Sequence, residues 1–265
     1  MKLRISHKTT YSYDAPVVYG LQKVRLTPVS DHQQSVLDWH IAIEGGTQEF
    51  EFEDQYGNRC VLVQAHDGAS EISLTVSGNV QTHKTDGVYG KIYGVIPLWH
   101  FRQDTSRTNA GPRVTRLSKR ITNPAGDLAE LHALCADIRN EVPYAQAVTD
   151  VTTTAEEALT RGGGVCQDHA QIFIAALRHA GMASRYVSGY LMMDDRVDQD
   201  ATHAWAEAHI EGFGWVGFDV SNGISPDERY VKLAVGRDSI DAAPVSGIRM
   251  GNARESMSVT LQVQQ

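Results

Sequence analysis

Residues 1 to about 100 alternate apolar and polar positions with the period of two that is typical of β-strands. Turn signals rich in Gly, Pro, Asn and Asp separate the alternating runs. The pattern predicts six strands, at residues 3–13, 22–27, 36–43, 48–54, 59–65 and 71–82. Strands of this length and spacing favour an antiparallel sandwich or an open barrel. We therefore expect residues 1–105 to form an N-terminal β-sandwich-like domain.

The period changes beyond this region. Residues 99–123 are polar and contain the breaker Asn109–Pro112, so we expect a crossover segment there. Apolar positions then follow helical spacing in three stretches, which begin near Asp127, Thr154 and Cys166. Three strands are predicted next, at 184–192, 202–210 and 215–220, before an irregular tail that closes with a strand at 257–263. Helices followed by strands predict an α+β second domain over residues 106–265.

Composition and charge narrow the function classes. The chain is 42% apolar and 21% charged, with a net charge of −8. Nucleic acids and anionic membranes both require a basic face, so neither is an expected partner. No apolar run approaches the roughly 18 residues that span a bilayer, and the N-terminus alternates like an opening strand instead of a signal peptide. We expect a cytoplasmic protein.

The cysteines and histidines do not indicate a metal or a disulfide. The three cysteines, Cys60, Cys135 and Cys166, are not spaced like a metal clip or a redox pair. In a reducing compartment the expectation is three free thiols. His203 and His209 share a strand face, but six residues along a strand is roughly 20 Å, too far for one ion. We expect neither a metal nor another cofactor.

Cys166 follows the run Gly162-Gly163-Gly164-Val165 and begins a predicted helix. Glycines allow a tight turn and a close approach of substrate. The unpaired N–H groups at a helix start favour an anionic sulfur and can also bind an oxyanion. A buried structural cysteine at a helix start explains this motif alone equally simply.

A strand with strict alternation carries His203, Trp205, Glu207 and His209 on one face and alanines on the other. We expect the alanine face to pack on the Cys166 helix. A hairpin at residues 211–214 leads into the strand that ends at Asp219. With an odd-numbered loop or a bulge, Asp219 lies diagonal to His203 and within reach of its imidazole. A two-residue loop places Asp219 on the wrong face.

Together these residues predict a catalytic triad, with Cys166 as nucleophile, His203 as base and Asp219 as the group that orients the base. Tyr144 and Gln167 are candidates for the oxyanion or substrate site. Tyr186 and Trp205 are candidates for an aromatic substrate groove, although strand packing explains them equally well. Glu207 is either a partner of the site or an exposed strand residue, and we favour the exposed position.

Several segments resemble bacterial transglutaminase-like proteins, which are often described as predicted cysteine proteases. The resemblance is carried by Arg-Gly-Gly-Gly-Val-Cys-Gln-Asp-His at 161–169, Ala-Ser-Arg-Tyr-Val-Ser-Gly-Tyr-Leu at 183–191, His-Ala-Trp-Ala-Glu at 203–207 and Gly-Phe-Asp at 217–219. Residues 7–17 resemble the opening of the N-terminal domain that accompanies this family. The resemblance covers nearly the whole chain.

The resemblance implies a papain-like transglutaminase core of the α+β class behind an antiparallel β-sandwich-like domain, with the triad roles given above. Two segments depart from the family pattern and are expected to alter the rim of the pocket. Val220-Ser221-Asn222 stands where Pro-Thr-Asn is usual, and Asp168-His169-Ala170 where Asp-Phe-Ala is common.

Three functions remain open at this stage. The first is hydrolysis of a peptide, amide or isopeptide bond in a peptide or protein substrate. The second is true transamidation, in which an amine resolves the same acyl-enzyme. The third is a catalytically idle peptide-binding scaffold, against which a complete triad argues.

Overall fold

The computed structural model describes residues 1–91 and 95–265. The strands of its first part are β1 (Lys2–Val17), β2 (Tyr19–Thr27), β3 (Gln34–Glu44), β4 (Gly46–Glu53), β5 (Arg59–Ala65), β6 (Ala69–Thr82) and β7 (Val88–Gly90). The helices are α1 (Pro112–Ser118), α2 (Leu128–Glu141), α3 (Ala155–Arg161) and α4 (Cys166–His179), with a short 3₁₀ helix at Leu98–Arg102. The remaining strands are β8 (Ser184–Leu191), β9 (Asp198–Gln199), β10 (His203–Ile210), β11 (Gly214–Phe218), β12 (Tyr230–Gly236), β13 (Val245–Met250) and β14 (Glu255–Gln264).

Two antiparallel sheets form the N-terminal sandwich, one in the order β3-β6-β1-β14-β9 and the other in the order β13-β2-β5-β4. Their alternating inward positions, such as Leu3 and Ile5 of β1 and Val61 and Val63 of β5, share one hydrophobic core. The six strands predicted in this region are confirmed. Alternation succeeds here because each sheet has one buried and one exposed face.

The third sheet, in the order β12-β8-β10-β11-β7, carries the second core. Helix α4 packs on β10, whose Ala204, Ala206 and Ala208 lie in the same core as Phe173 and Leu177 of the helix. Small side chains on the strand let the helix approach closely. The predicted packing of the alanine face on the Cys166 helix is confirmed.

The sheets do not divide at the predicted boundary between residues 105 and 106. Strand β7 from the first segment joins the third sheet, while β13 and β14 from the C-terminal end complete the two sheets of the sandwich. The two units are therefore interleaved along the chain. The tail predicted to be irregular contains β12 and β13, and the predicted crossover contains α1.

Strand far outweighs helix across the described residues. The structure is therefore richer in sheet than the predicted papain-like α+β class implies, although a helix packed on an antiparallel sheet is present. In the same described residues, none of the helices has the length and apolar character needed to cross a membrane.

Candidate active site

Cys166 is the first residue of α4 and is half-buried. Gly162 follows the last residue of α3, and its φ of 68° is in the left-handed region that favours glycine. At Gly164 a Cβ would lie 2.8 Å from Oδ2 of Asp168, so the turn requires a residue without a side chain. That Asp168 oxygen accepts hydrogen bonds from the Val165 N–H at 2.8 Å and from the Thr149 hydroxyl at 2.6 Å. The glycines and Asp168 thus fix the chain on both sides of the thiol.

His203 and Asp219 meet across the β10–β11 hairpin. Ile210 pairs with Gly214, so the loop between them contains the three residues 211–213. An Asp219–His203 contact requires such an odd-numbered loop, and this loop brings Asp219 to the level of Trp205. The Nε2 atom of His203 lies 2.6 Å from Oδ2 of Asp219. Of the two registers that the sequence left open, the structure has the one that allows an Asp219–His203 contact.

Asp219 is fully buried and accepts several hydrogen bonds. Besides His203, the Tyr230 hydroxyl and the Asn222 side-chain amide each donate to its Oδ2 at 2.7 Å, and the Asn222 N–H donates to its Oδ1 at 3.1 Å. Burial by itself raises the pKa of Asp219, but the hydrogen bonds and the charge of His203 outweigh it and lower the pKa below its ordinary value. Asp219 is therefore held as a carboxylate.

Tyr230 is a member of this site that the sequence pattern did not identify. Its strand β12 is buried at every position, so it shows no alternation. A short apolar run bounded by turn-forming residues is the sequence feature that could have identified this strand, and Tyr230 with it.

His203 is 8% exposed and its pKa is raised to about 10. Burial alone would lower the pKa, but hydrogen bonds and charge interactions with Asp219 and Cys166 outweigh it. Because Nε2 is taken by Asp219, Nδ1 is the ring nitrogen left to exchange a proton with the Cys166 thiol. The raised pKa keeps His203 as an imidazolium at neutral pH, and Cys166 is one of the groups that raise it.

The two departures from the family pattern are in direct contact. His169 lies one helical turn beyond Cys166 and is buried. Its Nε2 lies 2.7 Å from the carbonyl oxygen of Val142, so Nε2 carries the proton, and its Nδ1 lies 2.8 Å from the Ser221 hydroxyl. Burial lowers the pKa of His169, which favours this neutral tautomer. His169 therefore joins helix α4 to the Asp219 loop and to the segment before Tyr144.

Tyr144 and Gln167 lie close to Cys166 in the structure. Tyr144 forms an isolated parallel bridge with Gly164, and its side chain is 57% exposed. Burial and the charge of Cys166 raise the pKa of Tyr144, which is consistent with a position near the thiol. Gln167 is the second residue of α4 and is half-buried. Both positions are compatible with the predicted contact to substrate.

Tyr186 and Trp205 are buried instead of lining an open groove. Trp205 is 0% exposed and stacks on His203 with ring centroids 6.3 Å apart. Tyr186 is 4% exposed and packs in the core beneath α4. The structure thus places both aromatic residues behind the candidate triad, where they support it through packing.

Glu207 is fully buried, and the favoured exposed position is wrong. Arg185 Nε donates to its Oε2 at 2.6 Å, and Lys232 Nζ lies 2.7 Å from its Oε1. Burial raises the pKa of Glu207, but the two cations outweigh this effect and lower it. Arg185 and Lys232 stand over the rings of Trp215 and Tyr89, each at 4.2 Å. Glu207 is thus the anion of a buried ionic cluster.

Among the described residues, no three His, Cys, Asp or Glu side chains lie together as a metal site. Cys60, Cys135 and Cys166 are all free thiols.

Two family descriptions match this chain. "Transglutaminase-like superfamily" matches residues 115–220, and "Bacterial transglutaminase-like N-terminal region" matches residues 3–81. The first range contains Tyr144, Cys166, His203 and Asp219.

Relatives match nearly the whole chain. An uncharacterized protein of Mycobacterium leprae is 28% identical over 275 residues, covering 99% of this chain and 98% of its own length. An uncharacterized protein of Mycobacterium tuberculosis is 28% identical over 283 residues, covering 97% of this chain and 90% of its own. A crystal structure described as a "Putative Cysteine Protease" from Cytophaga hutchinsonii is 25% identical with a TM-score of 0.77, covering 100% of this chain and 91% of its own.

Proposed function

The chain belongs to the transglutaminase-like superfamily, and from this premise we propose that it cleaves the amide bond of a peptide or protein substrate through a thioester on Cys166. The observation that carries the proposal is the buried His203–Asp219 pair, 2.6 Å apart, with a His203 pKa that Cys166 helps to raise. The family and the cysteine-protease description of the Cytophaga hutchinsonii structure support the general class of activity.

In the first half-reaction the Cys166 proton resides on Nδ1 of His203. The sulfur attacks the carbonyl carbon of the substrate and forms a C–S bond, so that the carbonyl oxygen becomes an oxyanion. His203 then gives its proton to the departing amine as the C–N bond breaks. A thioester and a neutral imidazole remain.

In the second half-reaction water gives a proton to His203 and attacks the thioester carbonyl. The C–S bond breaks, the acid product leaves, and the sulfur recovers its charge with the imidazolium beside it. An amine in place of water would yield transamidation by the same steps. Hydrolysis and transamidation therefore share one intermediate and differ only in the group that resolves it.

Asp219 contributes by holding His203 in one orientation. Its Oδ2 fixes Nε2, so that Nδ1 faces the sulfur, and its charge stabilises the imidazolium. The unpaired N–H groups at the start of α4 are the proposed oxyanion donors, and Gln167 and Tyr144 are proposed to contact the substrate beside them. The proposal includes a finer likeness to papain. In both, the helix that begins with the nucleophile packs on an antiparallel sheet that carries the base and the acid.

The proposal is tested with p-nitrophenyl acetate as a minimal acyl donor. Wild-type protein is expected to gain one acetyl group by intact mass, mapped to Cys166, and Cys166→Ala is expected to gain none. Cys60→Ala is the matched control, since that thiol is buried in the sandwich, and it should react like the wild type. Equal acetylation of Cys166→Ala and the wild type would contradict the proposal.

The fate of the acyl group separates the candidate reactions. A peptide library is incubated with wild-type protein, with and without a primary amine. New carboxylates at cleaved or deamidated positions indicate hydrolysis, whereas incorporated amine indicates transamidation. If the folded wild-type protein forms no acyl-enzyme and modifies no peptide, the result would favour the catalytically idle peptide-binding scaffold.

A further inference from the structure

The sandwich contains a cleft between its two sheets, at the end where β13 and β14 meet. The cleft has a volume of about 170 Å³ and is lined by inward-facing residues of both sheets. On one side stand Tyr11 and Tyr13 of β1, each 9% exposed. On the other side two inward positions are glycines, Gly20 of β2 and Gly247 of β13. Side chains that would otherwise fill the space between the sheets are missing here.

Two polar atoms at this cleft lack hydrogen-bond partners among the described residues. One is Oε1 of Gln22, whose side chain points into the sandwich and is 8% exposed. The other is Nη1 of Arg249, whose guanidinium lies over the Tyr13 ring at 5.3 Å. Buried polar groups without partners destabilise a fold, so they are rare unless a ligand or water satisfies them. The cleft thus presents one free acceptor and one free donor.

The cleft is bordered by a strand with a free edge. Strand β13 ends its sheet and pairs only with β2 in the described structure. Apolar side chains around it are exposed: Ile248 is 67%, Met250 63% and Met257 60% exposed. An edge strand offers unpaired backbone N–H and C=O groups, which an extended peptide can use.

We propose that the β13 edge is a second binding site, where an extended peptide adds a strand to the sheet and inserts a carboxamide side chain into the cleft. Side chains alternate along a strand, so the residues on either side of the inserted one lie beside Ile248 and Met250 on the outer face. The peptide motif is therefore apolar–Gln–apolar or apolar–Asn–apolar. This site lies in the sandwich and goes beyond the proposed reaction at Cys166.

The unpaired atoms select the carboxamide. Its NH₂ donates to Oε1 of Gln22, and its C=O accepts from Nη1 of Arg249. A carboxylate would face Oε1 of Gln22 and the nearby Glu255, whose Oε2 is 3.8 Å from Nε of Arg249. An ammonium group would leave the Arg249 donor unpaired. An apolar side chain would leave both atoms unpaired.

The probes are three fluorescent peptides, Ac-Thr-Val-Xaa-Val-Thr-NH₂, in which Xaa is Gln, Glu or Met. They are titrated into the full-length Cys166→Ala variant, so that no probe is consumed. The Gln peptide is expected to bind about tenfold more tightly than either of the others, as the loss of one or two hydrogen bonds predicts. A Gln peptide with N-methylated Val residues is expected not to bind, since it cannot pair with β13.

Two further variants localise the binding. Arg249→Met, at the sheet edge, and Gln22→Leu, in the cleft, each remove one of the two hydrogen bonds. Each should reduce the preference for Gln over Met from about tenfold to about threefold. Thermal unfolding checks that each variant is folded. If Gln22→Leu does not fold, the preference measured for Arg249→Met is the test of the proposal. Equal binding of the three peptides, tight binding of the N-methylated peptide, or an unchanged preference in Arg249→Met overturns the proposal.

Discussion

The Ser221 hydroxyl donates a hydrogen bond to Nδ1 of His169 across 2.8 Å, and this contact joins the helix of Cys166 to the loop that follows Asp219. The same imidazole donates to the Val142 carbonyl at 2.7 Å. One buried ring therefore links three segments that surround the candidate triad. His169→Phe removes both bonds and should lower the free energy of unfolding by about 2–4 kcal/mol, because a buried carbonyl and a hydroxyl lose their partner.

A double-mutant cycle in urea measures the His169–Ser221 contact directly. Ser221→Ala alone should cost about 1 kcal/mol. The two substitutions together should cost about 1 kcal/mol less than the sum of the single effects. Strictly additive effects would show that the bond contributes nothing to the folded state.

The raised pKa of His203 predicts a loss of stability at alkaline pH. Its pKa is about 10 in the folded protein, above its ordinary value of 6.5. The stabilisation is therefore fully present below about pH 6.5 and disappears as the pH rises through about 10. Urea unfolding between these values should show this decline, and His203→Gln should flatten it.

Cys166 contributes to this raised pKa, so its removal should change the titration. In Cys166→Ala the pKa of His203 should fall, because one hydrogen bond and one charge interaction are lost. NMR of the imidazole protons in the two proteins measures the difference. An identical titration in both would mean that the thiol and the imidazole do not interact.

Removing the anion from the buried cluster of Glu207 is expected to destabilise the fold. Glu207→Gln leaves Arg185 and Lys232 buried without their anion and should cost about 3–5 kcal/mol in the free energy of unfolding. Arg116→Gln is the matched control, since its ion pair with Glu141 is largely exposed and should contribute less than about 1 kcal/mol. Equal losses in the two variants would contradict the assigned difference in burial.

Gly189 lies opposite His203 on the neighbouring strand β8. A Cβ there would stand 2.2 Å from the Val231 carbonyl oxygen and 2.6 Å from the Trp205 ring, which stacks on His203. Gly189→Ala should therefore destabilise the protein by about 1–3 kcal/mol and displace His203. Gly163→Ala, whose Cβ would make ordinary contacts at 3.5 Å, should cost less in thermal unfolding. The strain assignment fails if both variants melt alike.

The local pattern of hydrophobic and polar residues was sufficient to predict a strand or helix where one face of the element is buried and the other is exposed. It located β10 and the starts of three helices near Asp127, Thr154 and Cys166. In the structure the side chains of Asp127 and Thr154 accept hydrogen bonds from the first turns of α2 and α3. It failed at β12, which is buried throughout and carries Tyr230. The burial of Glu207 was also missed, because its partners Arg185 and Lys232 come from other strands.

The predicted contact between Asp219 and His203 depended on the register of the β10–β11 hairpin, which the sequence left open. An odd-numbered loop follows from Gly212 and Gly214, which have φ values of 85° and 81°, and composition alone does not fix where such conformations fall. The return of β13 and β14 to the sandwich is a matter of topology that the local sequence pattern does not contain.

The central claim, that His203 activates Cys166, is tested most directly by the rate of iodoacetamide alkylation at each cysteine, resolved by peptide mapping at pH 7. Cys60 and Cys135 are 1% and 2% exposed, and burial raises the pKa of both thiols, to about 11 for Cys60. Cys166 should therefore react first, and His203→Gln should slow it by about 100-fold. The claim is contradicted if Cys166 in the folded wild type reacts no faster than Cys60, or no faster than in His203→Gln.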